Sequence, residues 1–161
     1  MNKFFSIMRT VVVPSFILIT IITVMISIIF LSCIQPQSKP IEGAWNLVYS
    51  QYIAEGKILD KFPGNYTGSD IKIWAKNYFI FVGRYKMDTT FVDNYGGGTF
   101  TLDKNHYQET VLYHVANDWV GTKPKMLLEV KGDSLIQTYP VDDNWQINKN
   151  NYTVEKYIKL K

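Results

Sequence analysis

Among the side chains whose type and spacing can do chemistry, Glu109 stands out. It sits in Tyr107-Gln108-Glu109-Thr110-Val111-Leu112-Tyr113, where the two-residue period of a strand puts Tyr107, Val111 and Tyr113 on its face. A carboxylate on an inward face must be hydrogen-bonded, paired or protonated. The phenols of Tyr107 and Tyr113 are candidate donors, and Arg84 becomes a partner only if its own strand has the opposite phase. Such a group can anchor a ligand or act as a base, but a register-fixing role outweighs both, because perturbed groups are often merely structural. His106 and His114, the two histidines, lie at opposite ends of one strand. At about 3.3 Å per residue they are too far apart to share one metal through bonds of ~2 Å.

Other motifs also reduce on inspection. Gly96-Gly97-Gly98 lacks the Lys-Ser/Thr of a phosphate loop, so tight turning or close backbone approach is the better account. Asp142-Asp143 lacks further spaced oxygen ligands. Ser50, Ser69 and Ser134 have no His and acid partners at hydrolase spacing. The sequence therefore predicts no catalytic residue, no metal site and no cofactor, and a protein that is not an enzyme.

The elements that must position Glu109 alternate with strand period. Strands are predicted over Gly43 to Tyr52, Ile71 to Trp74, Tyr78 to Lys86, Thr99 to Leu102, His106 to Val115, Met126 to Val130, Ser134 to Tyr139 and Tyr152 to Leu160. Glu55 to Asp70 reads as a loop, and Ala116 to Thr122 has room for one short helical turn around Trp119. Hairpin-linked strands with two-sided apolar stretches fit an all-β, antiparallel up-and-down barrel of about eight strands, which removes sheet edges by closing. A β-sandwich is the alternative.

Ahead of this domain, Lys3 and Arg9 precede an uncharged run from Val11 to Leu31. The pattern is that of a secretory leader, but the run is longer than the roughly 7–15 residues of an ordinary signal and long enough to stay as a membrane span, for which about 20 apolar residues suffice. Phe30-Leu31-Ser32-Cys33 resembles the lipobox of bacterial lipoproteins, which implies lipidation of Cys33, the single cysteine. An uncleaved anchor is the other reading. Either way the domain faces away from the cytoplasm, in a bacterial cell envelope, facing the periplasm or at the surface. The domains are thus 1-32, signal peptide or anchor; 33-41, lipidated cysteine and proline-punctuated tether; and 42-161, the barrel. Lys3 and Arg9 carry most of the +3 formal charge, leaving a nearly neutral domain with no basic excess for nucleic acid. Without a cysteine pair, a hydrophobic core must hold the fold.

Gly43-Ala44-Trp45 matches the Gly-x-Trp of lipocalins, whose indole plugs the closed end of the barrel. Lys72-Ile73-Trp74 with Phe79, Gly97-Gly98-Thr99-Phe100, Tyr107-Gln108-Glu109-Thr110, Gly132-Asp133 and Glu155-Lys156-Tyr157 extend the likeness over the whole domain. The chain resembles a bacterial lipocalin-like family of unassigned function, a calycin-type β-barrel lipoprotein. That resemblance implies a barrel with a central cavity, closed by Gly43 and Trp45. With Trp45 inward, the pleat predicts an inner lining of Leu47, Tyr49, Phe79, Phe81, Tyr85, Phe100, Tyr107, Glu109, Val111 and Tyr113. This mixture suits a small apolar or amphipathic ligand. The competing expectation is a filled barrel that works as an envelope protein-interaction module, with the membrane as its other partner.

Overall fold

The strand signals resolve into an all-antiparallel β-barrel. The computed structural model describes residues 39–161; the leader 1–32, the lipidation candidate Cys33 and most of the tether lie outside them. The strands in chain order are β1 (Gly43–Ala54), β2 (Lys57–Phe62), β3 (Thr67–Ala75), β4 (Tyr78–Met87), β5 (Thr90–Asp103), β6 (His106–His114), β7 (Lys125–Lys131), β8 (Ser134–Tyr139) and β9 (Asn151–Lys159). A single 3-10 turn, Asn117–Trp119, follows β6.

Strand β1 closes the ring. Its first residues pair with β3, Gly43 opposite Trp74, while its other edge runs along β9 from Trp45 opposite Lys159 to Ala54 opposite Asn151. β1 and β3 to β9 thus form a closed eight-strand barrel. β2 is a ninth strand, hydrogen-bonded among the described residues only to the far half of β1, where Ser50 faces Phe62. The predicted loop from Glu55 to Asp70 therefore contains β2 and the start of β3. The apolar residues of β2 hide this from a reading by period, because Ile58 and Leu59 are both exposed and follow no alternation. β5 likewise begins before its predicted start at Thr99, directly after a tight turn in which Asp88 takes φ +53° and Met87 faces Thr90.

One end of the barrel is solid. Trp45, Trp74, Tyr107 and Leu135 are fully buried there beside Ile41, Phe100 and Tyr157. The Trp45 indole donates to the Ile41 carbonyl at 2.8 Å, and the Lys159 ammonium lies 5.2 Å from its ring centroid. Gly43 makes room for that lysine: at φ +123°, a Cβ on it would stand 2.9 Å from Lys159 Cε. Burial of each large apolar side chain stabilises such a plug by about 1.5–3 kcal/mol.

The glycine triplet lies in mid-strand, not in a turn. Between Gly97 and Gly98 the pairing with β6 slips, Gly97 facing Tyr113 and Gly98 facing Val111, so Leu112 is an extra residue bulged out of the ladder. The backbones approach so closely that a Cβ on Gly98 would stand 2.0 Å from the Thr110 carbonyl oxygen. We expect Gly98→Ala to lower stability by at least the ~1–3 kcal/mol typical of overpacking. Gly132→Asn, at a turn with φ +56° and open space around it, should cost far less, since Asn tolerates that conformation. Urea denaturation of both variants checks this; equal losses would contradict the close-approach account.

Candidate functional site

Above the plug, the barrel's waist is crossed by a buried ion pair. On β3, Asp70, Lys72 and Trp74 alternate inward, and Lys72 Nζ meets Glu109 Oε1 of β6 at 2.6 Å with both side chains nearly inaccessible. Lys72 also donates to Gln137 Oε1 of β8 at 3.3 Å and lies 5.2 Å from the ring centroids of Trp74 and Phe79. The Tyr107 hydroxyl donates to the same Glu109 oxygen at 2.8 Å and accepts from Trp74 Nε1 at 2.9 Å. An ammonium held by a carboxylate, an amide oxygen and ring faces can remain in an interior that would otherwise expel it.

The amide of Gln137 relays this arrangement to a second carboxylate. Its oxygen faces Lys72, so its NH2 faces Glu155, donating to Oε2 at 3.1 Å. Glu155 also accepts from the Tyr139 and Tyr157 hydroxyls, each at 2.8 Å. Across the barrel, Asp70 Oδ2 accepts from Tyr85 at 3.0 Å and Asn94 at 2.8 Å. Burial pushes the Asp70 and Glu155 carboxyls above their ordinary range, an effect that their hydrogen bonds and the nearby Lys72 charge oppose. Burial, with adjacent carboxylates, also raises the phenols of Tyr107, Tyr139 and Tyr157 well above normal, so they stay protonated donors.

All of these groups except Trp74, Phe79 and Tyr107 line a chamber of about 180 Å³ together with Leu47, Phe81, Val111, His114 and Trp119. A wider vestibule of about 460 Å³ adjoins it toward β2, lined by Ser50, Tyr52, Asp60, Tyr66 and Val92 among others. The two share Leu47, Tyr85, Asn94, Tyr139 and Glu155. The interior is therefore packed at the Trp45 end and hollow at the other.

Of the residues predicted to line the interior, Leu47, Phe81, Tyr85, Glu109 and Val111 face the chamber. Phe79, Phe100 and Tyr107 point inward but are packed in the plug below it. Two expectations are corrected. Tyr113 is 72% exposed, because the bulge at Leu112 reverses the phase of β6 after Val111 and turns His114 inward instead. Tyr49 leaves the lining because the β1–β9 register shifts between Leu47 and Tyr49, which puts Ser50 on the inner face. Arg84 points outward and pairs with Asp93 across the β4–β5 ladder. His106 stacks on Trp145 at 4.3 Å, and His114 on Trp119 at 5.6 Å. Among the described residues, no group of three or more His, Cys, Asp or Glu can hold a metal ion.

Sequence reasoning missed Lys72, Asp70, Gln137, Tyr139 and Glu155. The signal was the same pleat rule: Trp74 inward brings Lys72 and Asp70 in, Leu135 brings Gln137 and Tyr139, and Tyr157 brings Glu155.

The raised carboxyls set a pH dependence. A folded-state pKa above the unfolded value means that the native state binds the proton more tightly, so stability falls as pH rises from the ordinary carboxylate range through the raised values. Asp70→Asn and Glu155→Gln should therefore flatten the loss of urea midpoint between that range and neutrality. An unchanged slope in both variants would contradict the assignment. Beyond the structure itself, no protein-family model matches the chain, and a search of curated proteins finds none similar to it.

Proposed function

We propose that this protein is an extracytoplasmic, membrane-anchored barrel of lipocalin-like type that holds a small amphipathic molecule in the hollow half of its interior. One observation carries the reading. The barrel encloses a chamber whose walls combine apolar side chains with a few fixed polar groups, the mixture by which small-molecule pockets set orientation. Filling such a space with side chains alone is within reach of an eight-strand barrel; here the side chains fill only the plug.

The lipocalin likeness is supported by Gly43-x-Trp45 at the start of β1, with the indole buried at the closed end. The anchoring part rests on the uncharged run Val11 to Leu31 and on the Ser32-Cys33 pair. No residue is assigned a catalytic role.

A second reading, a protein-interaction module, draws support from the outer face of β4 to β6. There Tyr78, Ile80, Val82, Tyr95 and Tyr113 are all more than half exposed and surround the glycine triplet. Broad apolar surface of this kind commonly marks contact sites.

Native mass spectrometry of the protein extracted from its own membranes tests both parts of the proposal. A mature chain beginning at diacylglyceryl-modified Cys33, with a small molecule bound in about equimolar amount, is the expected result. A chain retaining residues 1–32 would replace the lipoprotein with a spanning anchor. Preparations uniformly free of small molecules would contradict the carrier reading.

A further inference from the structure

The chamber is unbalanced in charge, and its occupant's chemistry follows from that. Asp70, Glu109 and Glu155 line it against one lysine, Lys72, and Lys72 is already engaged by Glu109 at its floor. The adjoining vestibule adds Asp60, with no lysine or arginine in its lining among the described residues; its other aspartate, Asp93, is paired with Arg84. All three chamber carboxylates accept hydrogen bonds from donors on the chamber walls.

Two of these carboxylates have an oxygen to spare. Among the described residues, Asp70, 3% exposed, accepts hydrogen bonds only at Oδ2, and Glu109, 4% exposed, accepts only at Oε1. Among the described residues, every fully enclosed polar side-chain atom has a partner. Asp70 Oδ1 and Glu109 Oε2 are therefore not enclosed by protein, and both residues line the chamber, so these acceptors open into it. They are nearly buried, unpartnered acceptors aimed at the space a ligand would fill. Phe81 and Trp119 line the same chamber and contribute aromatic rings, a side-chain type that attracts cations. Lys72 shows the principle within the same barrel, its ammonium lying among aromatic rings and a carboxylate.

Resting on the binding role proposed above, we infer that the chamber takes a small organic amine, its ammonium held by Asp70 Oδ1 and Glu109 Oε2 and its apolar part against Phe81, Val111 and Trp119. At about 180 Å³, the chamber is smaller than the ~300–1,000 Å³ of drug-sized sites, which limits the occupant to a compact molecule. A free amine fits better than an aminophospholipid headgroup, because a neighbouring phosphate would face the same carboxylates at close range.

The test uses the full chain in dodecyl maltoside micelles, with empty micelles as the blank. Four probes are compared by isothermal titration calorimetry: 2-phenylethylamine, 2-phenylethanol, 3-phenylpropionate and a soluble short-chain phosphatidylethanolamine. The amine is expected to bind at least about tenfold more tightly than each of the others, as a charge-assisted hydrogen bond in a dry site requires. Asp70→Asn, with its fold checked by near-ultraviolet circular dichroism, should bring the amine down to the level of the alcohol. If the alcohol or the propionate binds as well as the amine, the cation preference is overturned while binding in the chamber stands. A phosphatidylethanolamine that outranks the amine would overturn the free amine in favour of a lipid headgroup. If no probe binds, the inference falls together with the reading beneath it. The ranking on the unaltered protein decides the matter even where Asp70→Asn does not fold.

Discussion

The contact between Lys72 and Glu109 fixes the character of the whole barrel. Taking two ions out of water costs several kcal/mol each, and their attraction repays this only when remaining valences are satisfied. Tyr107, Trp74 and Gln137 are placed to do that, from β6, β3 and β8, so strands distant in sequence are tied at one level of the barrel. Below that level the interior is aromatic and full. Above it, polar groups that cannot interdigitate as aliphatic side chains do leave a space.

The same pair explains why the upper half does not collapse. Gln137 turns its oxygen to the ammonium and its nitrogen to Glu155, which orients the second carboxylate and the phenols that serve it. Asp70, on the same strand face as Lys72, is fixed from the other side by Tyr85 and Asn94. A wall of mutually bonded polar residues resists inward movement, because each shift would strand a buried donor or acceptor at a cost of about 1–3 kcal/mol. The hollow is thus a product of the hydrogen-bonding pattern as much as of barrel size.

Much of this was legible in the sequence. Strand period and hairpin spacing specify the barrel, and Trp45 sets the phase that carries Leu47 inward. Glu109 could be recognised as a buried acid in need of partners. Its pairing with Lys72 could not, because the pleat can bring Lys72 inward on β3 but nothing local links β3 to β6. Tyr49 and Tyr113 escaped for a different reason. Each follows a bulge, and a one-residue slip reverses the facing of every later side chain while leaving composition unchanged. Only Gly97-Gly98 hinted at the second slip, and nothing in the side chains marks the first. β2 was missed because a strand attached by one edge, with Ile58 and Leu59 both in solvent, carries no alternation.

A double-mutant cycle between Lys72→Met and Glu109→Leu, followed by urea denaturation, tests the central claim most directly. Each single change should cost about 3–5 kcal/mol by stranding a buried charge, and the double change should recover most of the loss. Losses that simply add would mean that the two residues do not sense one another, and would remove the ion pair as the interaction that divides the barrel.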